Sequence, residues 1–366
     1  MAWSWRIGKV AGIPIYMHWT FLILIAWVIM GEVARGSDLA QTTAGVLFAL
    51  ALFGCVVLHE LGHALAARRF GIPTLDITLL PIGGLARMQR IPEKPAQELV
   101  VAIAGPLVNV AIAGALLLAG VRLPVVTSQQ TGLELPGFWT RLLLVNMVLV
   151  LFNLLPAFPM DGGRVLRALL AMRMNYARAT RLAASVGQFV AIGFALLGLS
   201  IPNPFLLLIS LFVWTGAEAE ASQVEERAVL QGVPVRDAML TDFQTLGPDD
   251  TLGHAADLLL AGSQHDFPVL ADGRFAGLLS RSDLLAGLAQ GGRDARVSLF
   301  ARTDLATADA GGDLVPALAI LRESGGSCLA VVEQGRPVGL LTVENVAEYL
   351  MVRTALRAPE PTPTRT

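Results

Sequence analysis

Residues 44–67 read AGVLFALALFGCVVLHELGHALAA, and this stretch sets the class of the whole chain. An uncharged run from Ala44 to Leu58 leads straight into His59-Glu60-Leu61-Gly62-His63, and Ala64 to Ala67 follow before the first arginines. In a helix, His59 and His63 are four residues apart and project from one face, so both imidazoles can reach one zinc ion. Glu60 is adjacent, placed to take a proton from water. Ionisable side chains at bilayer depth are costly and mark a functional site by default. A soluble metalloprotease would not bury this signature in so apolar a segment, which points to peptide hydrolysis inside a membrane.

The rest of the chain agrees. With 54% hydrophobic residues, 15% charged residues and a mean hydropathy of +0.61, the 366-residue chain is too apolar for a soluble enzyme, and the excess lies before residue 220. A net charge of −2 and the lack of a basic patch interleaved with aromatics argue against a nucleic-acid partner. Cys55 and Cys328 form no disulfide framework and have no CxxC spacing, which argues against a thiolate metal site. Arg6 and Lys9 precede an apolar run with no A-x-A-like cleavage site after it, so that run is expected to stay as a first span.

A crossing helix needs roughly 20 apolar residues. By that measure spans are expected at 15–32, 43–67, 97–120, 138–158 and 182–201, with a shorter sixth at 204–219. Arg68, Arg69, Arg87, Arg90 and Lys94 follow the second span, and Arg164, Arg167, Arg173, Arg178 and Arg181 follow the fourth, whereas the intervening loops hold only Arg35 and Arg122. This asymmetry places both termini in the cytoplasm of a multi-pass protein of the cell membrane. Trp3, Trp5, Trp19 and Trp139 fall near span ends, as interfacial aromatics do. Thr74 to Met88, broken by Pro81, Gly83 and Gly84, is too short to cross and is expected to be a β-like segment beside the site or an apolar loop below the bundle.

Beyond Glu218 the composition turns polar, and two similar units follow. Each has a helix, a short buried strand, the frame G-R-x-x-G-L-L, then Ser/Thr-x-x-Asp/Asn opening a further helix. Such self-similarity marks one supersecondary unit used twice. The expected organisation is a membrane domain at 1–220, a linker at 221–233, repeats at 234–290 and 291–353, and a disordered tail at 354–366.

Two histidines leave a catalytic zinc one protein ligand short. Asp76 and Glu93 lie nearby in sequence but in segments that do not look embedded. Asp161 is the better candidate: it closes an apolar span after Pro156 and Pro159, with Gly162 and Gly163 allowing close backbone approach. The alternative is that Asp161 only caps the next helix. HELGH in a membrane helix, Gly105-Pro106-Leu107-Val108-Asn109 on the third span, and Asn153-Leu-Leu-Pro-Ala-Phe-Pro-Met-Asp161-Gly-Gly together resemble the site-2 protease family of intramembrane zinc metalloproteases, peptidase family M50. That resemblance covers roughly residues 1–220. It implies one zinc ion on His59, His63 and Asp161, Glu60 as general base and acid, and cleavage of single-span membrane proteins.

Asn109 and Asn153 are uncharged donors that either hold the substrate backbone and oxyanion or make ordinary interhelical hydrogen bonds. Pairing of an unwound substrate with Ile77 to Leu80 is a further expectation. His18 either lines the cavity or is an interfacial histidine beside Trp19. The tandem unit resembles a CBS pair of α/β character, so the fold class is a multi-span α-helical membrane protein carrying a C-terminal CBS module. On that resemblance Ser280, Asp283, Thr342 and Asn345 are candidates to bind ATP or AMP, with Asn345 standing where the first copy has an acid; the other reading is a set of helix caps in a module that dimerises. CBS pairs also occur on channels and transporters, so a CBS-regulated metal transporter is the second reading of the whole chain. It does not account for Glu60 between the two histidines.

Overall fold

The computed structural model describes residues 3–81, 83–89, 92, 94–123 and 137–357; of Thr354 and Arg357 it describes the backbone alone. Glu93 and the tail from residue 358 lie outside the described residues. The chain divides into two compact units, residues 1–224 and 225–366.

In the first unit, β1 (Ser4–Val10) and β2 (Ile13–His18) form a hairpin, followed by α1 (Thr20–Ala34) and α2 (Leu39–Arg68). The expected first span therefore starts late. Ile15 to Met17 are strand, paired in parallel with Ile77 to Leu79, and the helix begins only at Thr20. α2 starts at a capping box in which Asp38 accepts from Gln41 N (2.7 Å) and Gln41 accepts from Asp38 N (3.0 Å). Next come β3 (Thr74–Leu80), β4 (Gly83–Met88), α3 (Pro95–Leu118), α4 (Phe138–Asn153), α5 (Asp161–Ala171), α6 (Tyr176–Ser200) and α7 (Pro204–Leu230).

α2, α3, α6 and α7 are long and apolar enough to cross a membrane. α1 and α4, at 15 and 16 residues, are apolar but shorter. At 1.5 Å per residue they rise roughly 22–24 Å, less than a hydrocarbon core. α4 ends at Asn153 because Pro156 and Pro159 cannot continue it, so the fourth span is shorter than 138–158. Side chains such as Phe189, Leu199 and Phe205 point outward, an apolar surface that lipid tolerates and water does not.

The sheet order is β1-β2-β3-β4. Thr74–Met88 is thus β structure, but β3 lies between two partners. Ile77 to Leu79 are paired on both sides and offer no free edge to a substrate strand, which corrects the expected pairing site at Ile77 to Leu80. β4 is the edge strand on that side.

The second unit repeats one motif. α8 (Leu252–Ala261), β5 (Phe267–Ala271), β6 (Arg274–Leu279) and α9 (Arg281–Gly291) enclose a core of Leu246, Leu252, Phe267, Val269, Leu279 and Leu284. After β7 (Thr307–Ala308), α10 (Leu314–Ser324), β8 (Cys328–Glu333), β9 (Arg336–Thr342) and α11 (Val343–Arg357) enclose Leu314, Leu318, Leu329, Val331 and Leu341. In both hairpins the turn is a positive-φ pair, Asp272-Gly273 and Gln334-Gly335, which is why glycine opens each G-R-x-x-G-L-L frame. The expected linker at 221–233 is helical as far as Leu230, and residues 354–357, expected in the tail, continue α11.

Candidate metal centre

His59 and His63 lie one turn apart on α2, and Asp161 is the first residue of α5. Asp161 comes to the histidines because α4 stops at Asn153 and the segment through Phe158 folds back into the bundle, with Ala157 and Phe158 fully buried. His59 Nε2 and His63 Nε2 are 3.1 Å apart, and Asp161 Oδ2 is 3.1 Å from the first and 3.2 Å from the second. All three residues are buried.

The outer nitrogens decide what this triangle is. His59 Nδ1 is 2.5 Å from Asn109 Oδ1, and His63 Nδ1 is 2.7 Å from the Val101 carbonyl oxygen. Both partners are acceptors, so each imidazole carries its proton on Nδ1 and turns an Nε2 lone pair inward. Two lone pairs and a carboxylate oxygen facing one point repel unless a cation lies between them. Donors about 2.0–2.1 Å from a tetrahedral zinc stand roughly 3.3 Å apart, close to the spacing seen here. The three residues therefore fit a zinc ion, and they are the group among the described residues whose ligand atoms converge in this way.

Asn109 is engaged behind His59 rather than facing open space. Its amide nitrogen donates to Asn146 Oδ1 (2.9 Å), and Asn146 in turn donates to the Leu142 carbonyl (2.8 Å) and to Cys55 Sγ (3.5 Å). Asn109 and Asn146 are both fully buried. This chain of amides fixes which end of Asn109 meets His59. Asn153 donates to the Leu149 carbonyl one turn earlier (2.9 Å). His18 Nδ1 bonds Thr20 Oγ1 (2.7 Å) at the start of α1, with its ring tilted against Trp19. Asp76 is ion-paired to Arg87.

Two glycines let the backbone come close. A Cβ on Gly105 would meet both His59 Nε2, at 2.7 Å, and the His63 ring, so only glycine leaves room at the metal position. A Cβ on Gly84, in edge strand β4, would lie 2.7 Å from Glu60 Cγ and 3.1 Å from Val56 Cγ1. Glu60 is therefore held between its own helix and the sheet edge. Gly84→Ala should displace Glu60 while leaving His59, His63 and Asp161 in place, lowering kcat by about 10²-fold. Zinc content should not change. Parallel turnover and metal assays check this.

In the second unit Ser280, Asp283, Thr342 and Asn345 all line one cavity of about 730 Å³. Ser280 Oγ accepts from Asp283 N (3.2 Å) and donates to Asp283 Oδ2 (2.6 Å); Thr342 Oγ1 and Asn345 repeat the arrangement at 3.1 and 2.7 Å. Partial burial raises the Asp283 pKa, but hydrogen bonds from Arg302 and Ser280 outweigh it and hold the carboxyl below the usual range. Its ion pair with Arg302 (2.9 Å) thus persists at neutral pH, and its contribution fades only as pH falls below about 4. Burial pushes the Cys328 thiol, on the same cavity wall, up to about 12, so it is no thiolate at neutral pH.

Comparison with known proteins adds the lineage. The model of peptidase family M50 matches residues 47–135 and 121–194, and that of the CBS domain matches 235–290 and 297–352. A zinc metalloprotease of Methanocaldococcus jannaschii is 38% identical over 281 residues, covering 76% of this chain and 78% of that protein. The protein Rip3 of Mycobacterium tuberculosis is 29% identical over 389 residues, 97% of this chain and 95% of its own. Among solved structures, a site-2 protease from M. jannaschii is 39% identical and covers 60% of this chain and 95% of its own, with a TM-score of 0.44.

Proposed function

The chain belongs to peptidase family M50 and is a metalloprotease with a CBS pair, and on that footing we propose that it cuts single-span membrane proteins within their apolar segments. The observation that carries this reading is the convergence of His59, His63 and Asp161 in a bundle whose outer surface is apolar. Family membership favours hydrolysis over metal transport.

In this reading His59, His63 and Asp161 hold zinc, and Glu60 is the base. Zinc there would polarise a peptide carbonyl and acidify water. The Glu60 carboxylate takes the proton from the attacking water and returns it to the leaving nitrogen. Asn109 and the Val101 carbonyl hold the two imidazoles in the tautomer the metal needs. Asn109, with both ends of its amide engaged, thus orients a ligand instead of holding the oxyanion. An unwound substrate segment pairs with β4, the sheet edge next to Glu60. The positive-inside pattern supports a cytoplasmic placement of both termini and the CBS pair.

The test is capture followed by mapping. Glu60→Gln protein, purified from its own membrane, should retain single-span proteins that the active enzyme then cuts inside the apolar segment, with cleavage stopped by a zinc chelator. Cuts confined to soluble loops would contradict the reading.

The CBS cavity takes an adenine nucleotide, whose phosphates favour the amides opening α9 and α11 and whose ribose meets Asp283. AMP or ATP should shift the melting temperature of the full-length protein, and Asp283→Ala should weaken that shift at least about tenfold in apparent affinity. The module also pairs two copies of the chain, which sedimentation of the detergent-solubilised protein would detect.

A further inference from the structure

Arg167, in the middle of α5, is fully buried in the first unit. Its Nε and Nη2 both meet Glu98 Oε1, at 2.7 and 2.5 Å, and its Nη1 meets Glu220 Oε1 at 2.5 Å. The guanidinium carbon lies over the rings of Phe158 and Tyr176, 5.0 Å from each centroid. One side chain thus joins α3, α5, α6 and α7. A charge taken this far from water persists only when its partners are fixed.

The places it touches bear on the metal centre. Phe158 precedes Asp161 by three residues, and α5 begins with Asp161, so the guanidinium grips the chain on both sides of that carboxylate. Glu98 lies one turn before Val101 on α3, and Val101 supplies the carbonyl that holds His63. Gly105 and Asn109 follow on the same helix. Glu220 braces α5 from α7.

We propose that Arg167 is a positioning residue for the metal centre, locking the helix that presents Asp161 to the helix that orients His59 and His63. This rests on the reading that those three residues bind zinc. Arginine is required because its planar fork reaches two carboxylates at once while stacking on two rings; lysine keeps the charge but offers neither the fork nor the flat face. The guanidinium contacts none of the three ligands, so its effect on zinc passes through the placement of Asp161.

The experiment measures the zinc affinity of the full-length protein in detergent, by competition with a chromophoric chelator. The set is wild type, Arg167→Gln, Arg167→Lys, Glu220→Gln and Leu170→Ala. Leu170 packs on the same helix against the Phe158–Ala217 cluster, so Leu170→Ala reports what lost packing alone does. Arg167→Gln should bind zinc about tenfold or more weakly, as displaced outer partners of a metal site do. Arg167→Lys should recover part of the loss, and Leu170→Ala should stay near wild type. Glu220→Gln, which keeps the shape of the side chain, should weaken zinc binding even if Arg167→Gln fails to fold. Wild-type affinity in folded Arg167→Gln or in Glu220→Gln, or an equal loss in Leu170→Ala, overturns the proposal. A wild-type protein that binds no zinc would instead defeat the metal reading itself.

Discussion

Glu60→Gln is expected to keep zinc and lose cleavage, with kcat falling by about 10²- to 10⁴-fold, the range that general acid–base groups supply. The amide matches the carboxylate in size, so the contact with Gly84 and the packing against the sheet edge persist. What disappears is the ability to accept a proton from water and return it to the leaving nitrogen. Glu60 is not among the three residues whose ligand atoms converge, so metal content should equal that of the wild type. Side-by-side elemental analysis and turnover of a trapped substrate check both halves. A large loss of zinc would mean that Glu60 is a ligand, and retained turnover would mean that it is not the base.

Gly105→Ala should have the opposite signature, with zinc lost first and activity lost as a consequence. The added methyl would fall 2.7 Å from His59 Nε2 and against the His63 ring, in the space where the two lone pairs point. α3 cannot retreat easily, because Asn109 and the Val101 carbonyl on the same helix are bonded to those imidazoles. The affinity loss should exceed the roughly 10- to 100-fold typical of outer partners, since the obstruction lies at the ligand atoms themselves. Zinc titration of the purified variant measures it. Full zinc occupancy in a folded Gly105→Ala protein would show that the ion sits elsewhere.

The signature that opens the site was legible because its chemistry is local: His59, Glu60 and His63 occupy one turn of one helix. Asp161 was within reach because two prolines and two glycines mark where a span stops and the chain turns inward. The repeat after residue 230 was legible for a related reason, since its turns demand glycine at Gly273 and Gly335.

What escaped the sequence depends on long-range pairing. Ile15 to Met17 look like the start of a membrane helix because they are apolar, yet they are a strand, paired with β1 in a hairpin and with Ile77 to Leu79 across the sheet. The same register fills the edge of β3 and passes the free edge to β4. Arg167 reads in the sequence only as one of the basic residues after the fourth span, because its carboxylates lie 69 and 53 residues away. Asn146 was the missed signal that sequence did contain, as an amide isolated in an apolar helix needs a partner. Its partner, Asn109, could be assigned an orienting role only once the chain of hydrogen bonds was seen.

The most direct measurement is anomalous diffraction at the zinc edge from crystals of the full-length protein. One peak should appear within about 2.2 Å of His59 Nε2, His63 Nε2 and an Asp161 carboxylate oxygen, and should vanish in Asp161→Ala. A peak bound elsewhere, or an empty triangle in protein that cleaves its substrate, would contradict the account.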